Sequence, residues 1–292
     1  MDKPSAGIDI GSRTVKFVLT QNNKIIYSKI VDNGYDSYNI CKNLLKNNNF
    51  SSVIATGYGR TLLEIKENIP TVSEIKAFAT GINKLVKGDN KIILDIGGQD
   101  TKFIKIKNGK VVKFEMNDRC AAGTGKFFEV MAKTLGYTID DFSKIEPKDV
   151  DIKISSMCTV FAESEVTSLI SKGVDRETIA IALHNSIVKR IIAKLIKFFT
   201  ANEKIIFCGG CAKNQLLVKI LEKELKKEII IPENPQIIGA YGASIIASSL
   251  PIHTWHLSIN VLKKIYKPCF IHYFCNKNFR LLKTTNLNLN GG

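Results

Sequence analysis

The sequence lacks any hydrophobic run long enough to cross a membrane. A transmembrane helix needs about 20 consecutive apolar residues, and the apolar segments of this 292-residue chain are shorter than that. The opening Met1-Asp2-Lys3-Pro4 has neither the basic stretch nor the apolar stretch of a secretory signal. We therefore expect a cytoplasmic protein with no membrane partner.

Acidic residues are scarce, with 27 Asp and Glu against 42 Lys and Arg, and the formal net charge is +15. Such a charge raises the question of a polyanionic partner, above all a nucleic acid. However, the lysines are scattered, and the sequence has no arginine-rich stripe and no basic patch interleaved with aromatic residues. The charge pattern therefore argues against nucleic-acid binding.

Residues 251–292 contain no acidic residue at all, although they hold three of the four histidines and the only tryptophan. This composition differs from that of the preceding chain. We interpret the segment as an atypical basic tail that is dispensable, and a shifted reading frame after Leu250 would also explain it. Truncation at Leu250 is expected to preserve soluble expression and activity.

One sequence pattern occurs twice at a constant offset. Residues 9–17 read DIGSRTVKF and residues 95–103 read DIGGQDTKF, and the similarity continues in residues 22–26 and 108–112. Each copy predicts a strand, a glycine corner, a second strand, an Asn-containing turn and a third strand. Glycine corners let backbone N–H groups approach phosphate oxygens, and the Asp before each corner can organise Mg²⁺ through water. Two facing corners would form a clamp for a nucleotide polyphosphate.

The rest of the chain predicts an α/β protein of two domains. The polar residues 87–90 precede the second copy, so we place the boundary there, with domains at 1–88 and 89–250. Helices are expected over 36–47, 74–85, 176–201 and 215–226. Residues 204–214, KIIFCGGCAKN, predict a strand and a double-glycine turn suited to packing against adenosine. A final helix containing Gly239 and Gly242 would allow close packing.

The seven cysteines point to metal or redox chemistry, because disulfide frameworks belong to small secreted domains. Cys120 and Cys158 each stand where a helix is predicted to begin, and a helix N-terminus stabilises a thiolate and an anionic cluster. Two ligands per chain cannot complete the four thiolates of a cubane cluster or a structural zinc site, whereas two symmetric copies can. Cys208 and Cys211 have the short spacing of a metal motif, but they occupy the turn expected to cover the nucleotide.

Four motifs together resemble a known family. They are ATGYGR at 55–60, DIGGQD at 95–100, NDRCAAGTG at 117–125 and SSMCTVFAESE at 155–165. In this order and spacing they resemble the activators (component A) of 2-hydroxyacyl-CoA dehydratases, which form the BadF-BadG-BcrA-BcrD ATPase family with the benzoyl-CoA reductase ATPase subunits. The resemblance covers residues 6 to about 248, and it places the chain in the actin, hexokinase and Hsp70 superfamily.

The resemblance implies two ribonuclease H-like domains with a nucleotide cleft between them. It also implies an oxygen-sensitive homodimeric ATPase with ATP, Mg²⁺ and one 4Fe-4S cluster per dimer, held by Cys120 and Cys158 of each chain. Such an activator accepts electrons from a ferredoxin or flavodoxin and drives one electron into a two-subunit dehydratase. The dehydratase and its acyl-CoA substrate are not encoded in this sequence.

Residue roles follow from the resemblance and from the corner chemistry. Asp9 and Asp95 are expected to organise Mg²⁺ and water, and Gln99 to orient the attacking water. The expected nucleotide contacts are Gly11, Ser12, Lys16, Gly97 and Gly98 at the phosphates, and Gly209, Gly210 and Asn214 at the nucleoside.

Two other interpretations remain open. A small-molecule kinase of the same superfamily would use a carboxylate such as Asp100 to deprotonate an acceptor hydroxyl, but it would leave both cysteine motifs unexplained. A nucleotide-dependent regulator would use the cysteines to bind structural zinc. Metal identity and a phosphate-acceptor assay would separate these alternatives from the activator.

Overall fold

The computed structural model describes residues 3–155, 158–200 and 202–250, which contain two β-sheets surrounded by helices. The first sheet has the strand order β3-β2-β1-β4, and the second has the order β7-β6-β5-β8-β9. The strands are β1 Ser5–Ile10, β2 Thr14–Gln21, β3 Lys24–Asp32, β4 Ser52–Thr56, β5 Asn90–Ile96, β6 Thr101–Lys107, β7 Lys110–Asn117, β8 Lys204–Cys208 and β9 Ile229–Ile230.

Nine helices longer than one turn lie in the described ranges. They are α1 Ser37–Lys46, α2 Arg60–Glu67, α3 Glu74–Leu85, α4 Gly125–Thr134, α5 Ile139–Ser143, α6 Thr159–Ser171, α7 Arg176–Leu195, α8 Gln215–Leu225 and α9 Ile238–Ala247. Two short 3₁₀ turns, Ile196–Phe198 and Gly210–Lys213, follow α7 and β8. The predicted α/β class is confirmed.

The two copies of the repeat fold into equivalent hairpins. In each sheet the first strand of the copy pairs antiparallel with the second strand and parallel with a later strand, β1 with β4 and β5 with β8. The turns between the second and third strands contain Asn22, Asn23, Asn108 and Gly109, all with positive φ, as tight hairpin turns require. The duplicated pattern therefore does specify one structural unit used twice.

Helices α3 and α9 connect the two sheets. Phe78 and Ile82 of α3 pack against strands of the second sheet, whereas Ala240 and Ile245 of α9 pack against the first sheet at Val18. The two helices also pack closely against each other: a Cβ on Gly242 would overlap the carbonyl oxygen of Ala77. The predicted close packing at the small-residue helix is confirmed.

Two element predictions differ from the structure. Helix α2 was not predicted, because its sequence RTLLEIKE is mostly polar and buries Leu63 alone. The long helix predicted to residue 201 ends earlier, at Leu195 and the following 3₁₀ turn, where the buried Lys105 ammonium binds the Phe198 carbonyl oxygen at 2.8 Å. The boundary predicted between residues 88 and 89 lies in the α3–β5 connection and stays a prediction, and the predicted tail, 251–292, lies outside the described residues.

Candidate functional site

A cavity of about 660 Å³ lies between the two glycine corners. Every residue predicted for catalysis or nucleotide binding lines this cavity: Asp9, Gly11, Ser12, Lys16, Asp95, Gly97, Gly98, Gln99, Gly209, Gly210 and Asn214. They come from β1, β2, β5, both corners and the turn after β8. The fold therefore brings the predicted set together at one place.

The two corners have the same hydrogen bond at the same position. The Gly11 N–H donates to the Thr14 carbonyl oxygen at 3.1 Å, and the Gly97 N–H donates to the Asp100 carbonyl oxygen at 2.9 Å. The carbonyl of Gly11 accepts a 2.7 Å hydrogen bond from the Asn33 side chain. Each first glycine is thus held by the hairpin itself.

Asp9 and Asp95, the residues before the corners, are both buried. Each carboxylate is approached by a glycine with positive φ from the neighbouring parallel strand's loop, Gly57 (φ 93°) beside Asp9 and Gly209 (φ 86°) beside Asp95. A Cβ on Gly209 would lie 2.7 Å from the Asp95 Oδ1 atom. These two glycines are required both for their backbone conformation and for the space that the carboxylates occupy.

Two lysines at equivalent strand positions form different ion pairs with these carboxylates. The Lys16 ammonium lies 3.4 Å from Asp9 Oδ2 and is nearly buried. The Lys102 ammonium is fully buried and contacts three carboxylates, Glu74 at 2.7 Å, Asp95 at 3.1 Å, and Asp100. Four carboxylates therefore share two ammonium groups, so acidic groups outnumber basic groups in this network beside the predicted phosphate corners.

Burial sets the protonation behaviour of this network. Burial raises the pKa of Asp95 and of Glu74, and the attraction of Lys102 opposes the rise in both. Burial alone would lower the pKa of Lys102, but its attraction to Asp95, Glu74 and Asp100 outweighs that effect and raises the pKa. Lys102 is therefore a permanent cation, and it favours the ionised form of the carboxylates that a divalent cation would need.

The sequence patterns above do not predict a role for Lys102 or Glu74. The repeat itself contained the signal for Lys102, because the matching residue of the first copy, Lys16, was assigned to the phosphates. Glu74 has no matching signal, since it begins α3 and reaches the network only through the packing of α3 on the second sheet.

The second corner is joined directly to helix α4. The first two N–H groups of the helix, those of Gly125 and Lys126, donate to the carbonyl oxygens of Gly97 and Gly98, both at 2.8 Å. The Thr101 hydroxyl also donates to the Gly123 carbonyl oxygen, at 2.9 Å. Residues 123–126 are thus anchored on the second corner and the strand that follows it.

The two cysteine predictions have different outcomes. Cys158 is the N-cap residue of α6, as predicted, and it is exposed. Cys120 does not begin a helix, because residues 121–124 form a turn with Gly123 at φ 86° and Thr124 is the N-cap of α4. The prediction for Cys120 is therefore wrong in this detail, and the N-terminus of α4 faces the glycine corner instead of the thiol.

The surroundings of Cys158 fit a thiolate-held cluster. The next residue, Thr159, has a buried hydroxyl oxygen without a hydrogen-bond partner among the described residues, so this donor is available to a sulfur acceptor. Helices α4 and α6, which follow the two cysteines, pack against each other. Within the described ranges, no three His, Cys, Asp or Glu side chains gather as a metal site would require, so a four-thiolate cluster needs ligands from beyond the described part of one chain.

Cys208 and Cys211 are buried near the cavity. Burial raises the pKa of Cys211 to about 12 and raises that of Cys208 strongly, and the negative charge of Asp95 adds to both shifts. Both groups are thus neutral thiols at neutral pH, which disfavours metal binding or redox exchange. Their burial agrees with the interpretation that they belong to the nucleotide turn.

None of the helices in the described ranges has the length and the apolar character needed to cross a membrane.

Comparisons with known proteins identify a family. Residues 6–247 match the BadF/BadG/BcrA/BcrD ATPase family. The activator of lactoyl-CoA dehydratase from Anaerotignum propionicum is 39% identical over 253 residues, which cover 82% of this chain and 96% of that protein.

Two solved structures are similar over most of their length. The (R)-2-hydroxyglutaryl-CoA dehydratase component A of Acidaminococcus fermentans superposes with a TM-score of 0.76 at 34% identity, covering 84% of this chain and 98% of that one. The Clostridium difficile activator of 2-hydroxyisocaproyl-CoA dehydratase, solved with bound ADPNP, has a TM-score of 0.74 at 34% identity, covering 84% and 94%. With its duplicated corners around one cavity and a match over residues 6–247, the chain belongs to the BadF/BadG/BcrA/BcrD ATPase family.

Proposed function

We propose that this ATPase is a one-electron donor that activates a 2-hydroxyacyl-CoA dehydratase or a related CoA-substrate reductase. The relatives that are named as activators support this function. A two-subunit dehydratase would be the acceptor, a ferredoxin or flavodoxin the upstream donor, and the anaerobic cytoplasm the setting.

The observation that carries the proposal is the contact between the second corner and α4. The carbonyl of Gly97 belongs to the same peptide unit as the N–H of Gly98, and the carbonyl of Gly98 shares its unit with the N–H of Gln99. Because trans peptides point these groups in opposite directions, the two N–H groups face away from α4 while the carbonyls hold it. A phosphate bound at the corner would thus act on the helix that follows the Cys120 loop.

The residues around the cavity would have different roles in ATP hydrolysis. Asp9 and Asp95 would hold Mg²⁺ through water, since the local excess of negative charge and the oxygen donors suit that ion. Gly11, Ser12, Gly97 and Gly98 would bind phosphate oxygens by backbone N–H groups, and Lys16 would neutralise phosphate charge. Gln99 would orient the attacking water, because its amide can both donate and accept. Gly209, Gly210 and Asn214 would border the nucleoside.

Cys120 and Cys158 of two copies would hold one 4Fe-4S cluster. When bound, the cluster supplies a one-electron carrier whose potential depends on solvent exposure and on hydrogen bonds to sulfur. The chain's own contribution is the two thiolates, the Thr159 hydroxyl beside one of them, and the helices that fix their positions. The exposed apolar side chains Val160 and Phe161, 66% and 67% accessible, adjoin Cys158 and suit contact with a second copy.

The test is iron and acid-labile sulfide per dimer after anaerobic purification, with the EPR spectrum of the reduced protein. About four irons per dimer are expected for a cubane cluster, and they should be lost in Cys120→Ala and in Cys158→Ala while both variants still bind ATP. Cys41→Ala, which changes a thiol buried under the first sheet, is the matched control and should keep the cluster.

Two outcomes would contradict the proposal. Wild-type protein without iron after reconstitution would exclude the cluster, and zinc in its place would favour the nucleotide-dependent regulator. Iron that survives both cysteine substitutions would show that the cluster is held elsewhere. Phosphate transfer to a sugar or an acid would instead support the kinase.

A further inference from the structure

His184 lies on α7 and has no exposed surface. Its ring is held between the rings of Phe128 on α4 and Phe142 on α5, with centroid distances of 5.0 and 4.8 Å. Packing of this kind would serve any aromatic or apolar residue equally well. The imidazole also makes two hydrogen bonds that an apolar side chain could not make.

The hydrogen bonds determine the tautomer of the ring. The Nδ1 atom lies 2.8 Å from the carbonyl oxygen of Ala180, and a carbonyl can only accept, so Nδ1 carries the proton. Burial lowers the pKa of His184 to about 4, so the imidazole is neutral at physiological pH and its Nε2 atom is an acceptor. The side-chain nitrogen of Asn214 donates to this Nε2 at 3.0 Å.

The same bonds determine the orientation of the Asn214 amide. Its Oδ1 atom accepts from the Leu217 N–H at 3.0 Å and thereby caps the N-terminus of α8. If the amide were turned over, its nitrogen would face the Leu217 N–H, and two donors would oppose each other. One of the two Nδ2 hydrogens therefore binds His184, and the second remains for another acceptor.

Asn214 lines the cavity beside the double-glycine turn Gly209-Gly210. We propose that His184 is a positioning residue, which holds the Asn214 amide so that its second N–H is presented to an acceptor atom of the nucleoside, a ribose oxygen or a ring nitrogen. This inference rests on a nucleotide occupying the cavity. It assigns to the His184–Asn214 pair the preference of the site for a nucleotide over a polyphosphate that has no nucleoside.

The test compares ADP with inorganic tripolyphosphate, which has no nucleoside, by calorimetry on the full-length protein. In His184→Asn the side chain can still reach the Ala180 carbonyl but not Asn214, so ADP should bind about tenfold more weakly, as for one lost hydrogen bond. Tripolyphosphate affinity should stay within about twofold of wild type. In His184→Gln the terminal amide oxygen reaches the position of Nε2, so the affinity for ADP should be restored.

A substitution of Asn214 tests the other residue of the pair. Asn214→Ser keeps a strong N-cap for α8 but removes the amide, and it should weaken ADP binding as much as His184→Asn does. The double variant should be no weaker than either single variant, because both act through one hydrogen bond to the nucleoside.

Several results would overturn the inference. Equal losses of ADP and tripolyphosphate affinity would reduce His184 to a purely structural role. Additive losses in the double variant would separate His184 from Asn214, and unchanged ADP affinity in both single variants would remove the pair from the nucleotide site. Wild-type protein that binds tripolyphosphate and ADP equally well would refute nucleoside recognition here, while leaving the iron test of the electron-transfer function unaffected.

Discussion

The Lys102 ammonium on β6 lies 2.7 Å from the Glu74 carboxylate at the start of α3. This ion pair joins the second sheet to the helix that packs against α9, and the same ammonium contacts Asp95 and Asp100. A single buried cation therefore holds together carboxylates from three segments of the chain. Its removal should affect the chemistry of the cavity more than any other single charge change.

We expect Lys102→Met to lower ATPase activity at pH 7 by at least about tenfold, because the loss of a neighbouring cation raises a carboxylate pKa by about one unit or more. The pKa of Asp95 and of Glu74, already raised by burial, would rise further. The acidic limb of the pH–rate profile would then move to higher pH, and activity should return as the pH increases. The acidic limb of the pH–rate profile and the Mg²⁺ affinity are the measurements.

Lys105→Met is the matched control, since Lys105 lies on the same strand and is also buried. It pairs with Glu203 at 2.8 Å, away from the cavity. We expect a loss of about 3 kcal/mol in the free energy of unfolding, because a buried carboxylate loses the cation of its ion pair, but no shift of the pH–rate profile. A shift of equal size in both variants would refute the role of Lys102.

The ion pair between Arg13 of the first corner and Glu129 of α4, at 2.9 Å, should couple nucleotide binding to the Cys120 region. Both side chains are partly exposed, at 58% and 31%, so Arg13→Ala should cost only about 0.5 kcal/mol of stability. The nucleotide-dependent change in the rate of iron removal by a chelator should nevertheless become smaller.

Exchange of the charges, Arg13→Glu with Glu129→Arg, should restore this nucleotide dependence. Lys126→Ala is the control, since Lys126 is the other cation near Glu129, at 3.8 Å within the same helix. A loss of coupling in Lys126→Ala as large as that in Arg13→Ala would contradict the assignment.

The Thr159 hydroxyl should raise the potential of the proposed cluster by donating to sulfur. We expect Thr159→Val to lower the midpoint potential by about 40 mV, the equivalent of roughly 1 kcal/mol for one hydrogen bond in a one-electron couple. Thr159→Ser, which keeps the hydroxyl, should leave the potential unchanged. Equal potentials in wild type and Thr159→Val, with the cluster intact, would exclude this hydrogen bond.

Gly242→Ala should destabilise the protein by about 3 kcal/mol, because the new methyl group would overlap the Ala77 backbone and α3 and α9 would have to separate. Gly34→Ala, where a Cβ meets no atom within 4 Å, should be nearly neutral. Thermal unfolding of both variants measures the difference. Similar stabilities would show that the helix contact can relax.

The duplicated hairpins and the family could be predicted from the sequence because local patterns encode them. Alternating strands, Asn turns and glycine corners follow from residues close together, and the eleven residues predicted for catalysis and nucleotide binding lie at or near the ends of those elements. Cys158 was placed correctly for the same reason, since its helix begins immediately after it.

The errors concern features that depend on tertiary contacts. The start of α4 is set by the carbonyls of Gly97 and Gly98, which lie more than 25 residues earlier in the chain. The sequence near Cys120 contains no pattern that predicts these contacts. Glu74 reaches Lys102 through the packing of α3 on the second sheet. The sequence around His184 indicates only a buried residue, because its hydrogen-bond partner, Asn214, lies 30 residues away in the chain.

The two hydrogen bonds from α4 to the Gly97 and Gly98 carbonyls consist entirely of main-chain atoms. An alanine scan of α4 would test side-chain contacts such as Arg13–Glu129, but it would leave these two main-chain hydrogen bonds intact. Replacing the Gly125 or Lys126 amide by an ester would remove a donor without altering any side chain. Relatives could then vary the side chains of this segment widely and still transmit the state of the nucleotide through the same two peptide groups.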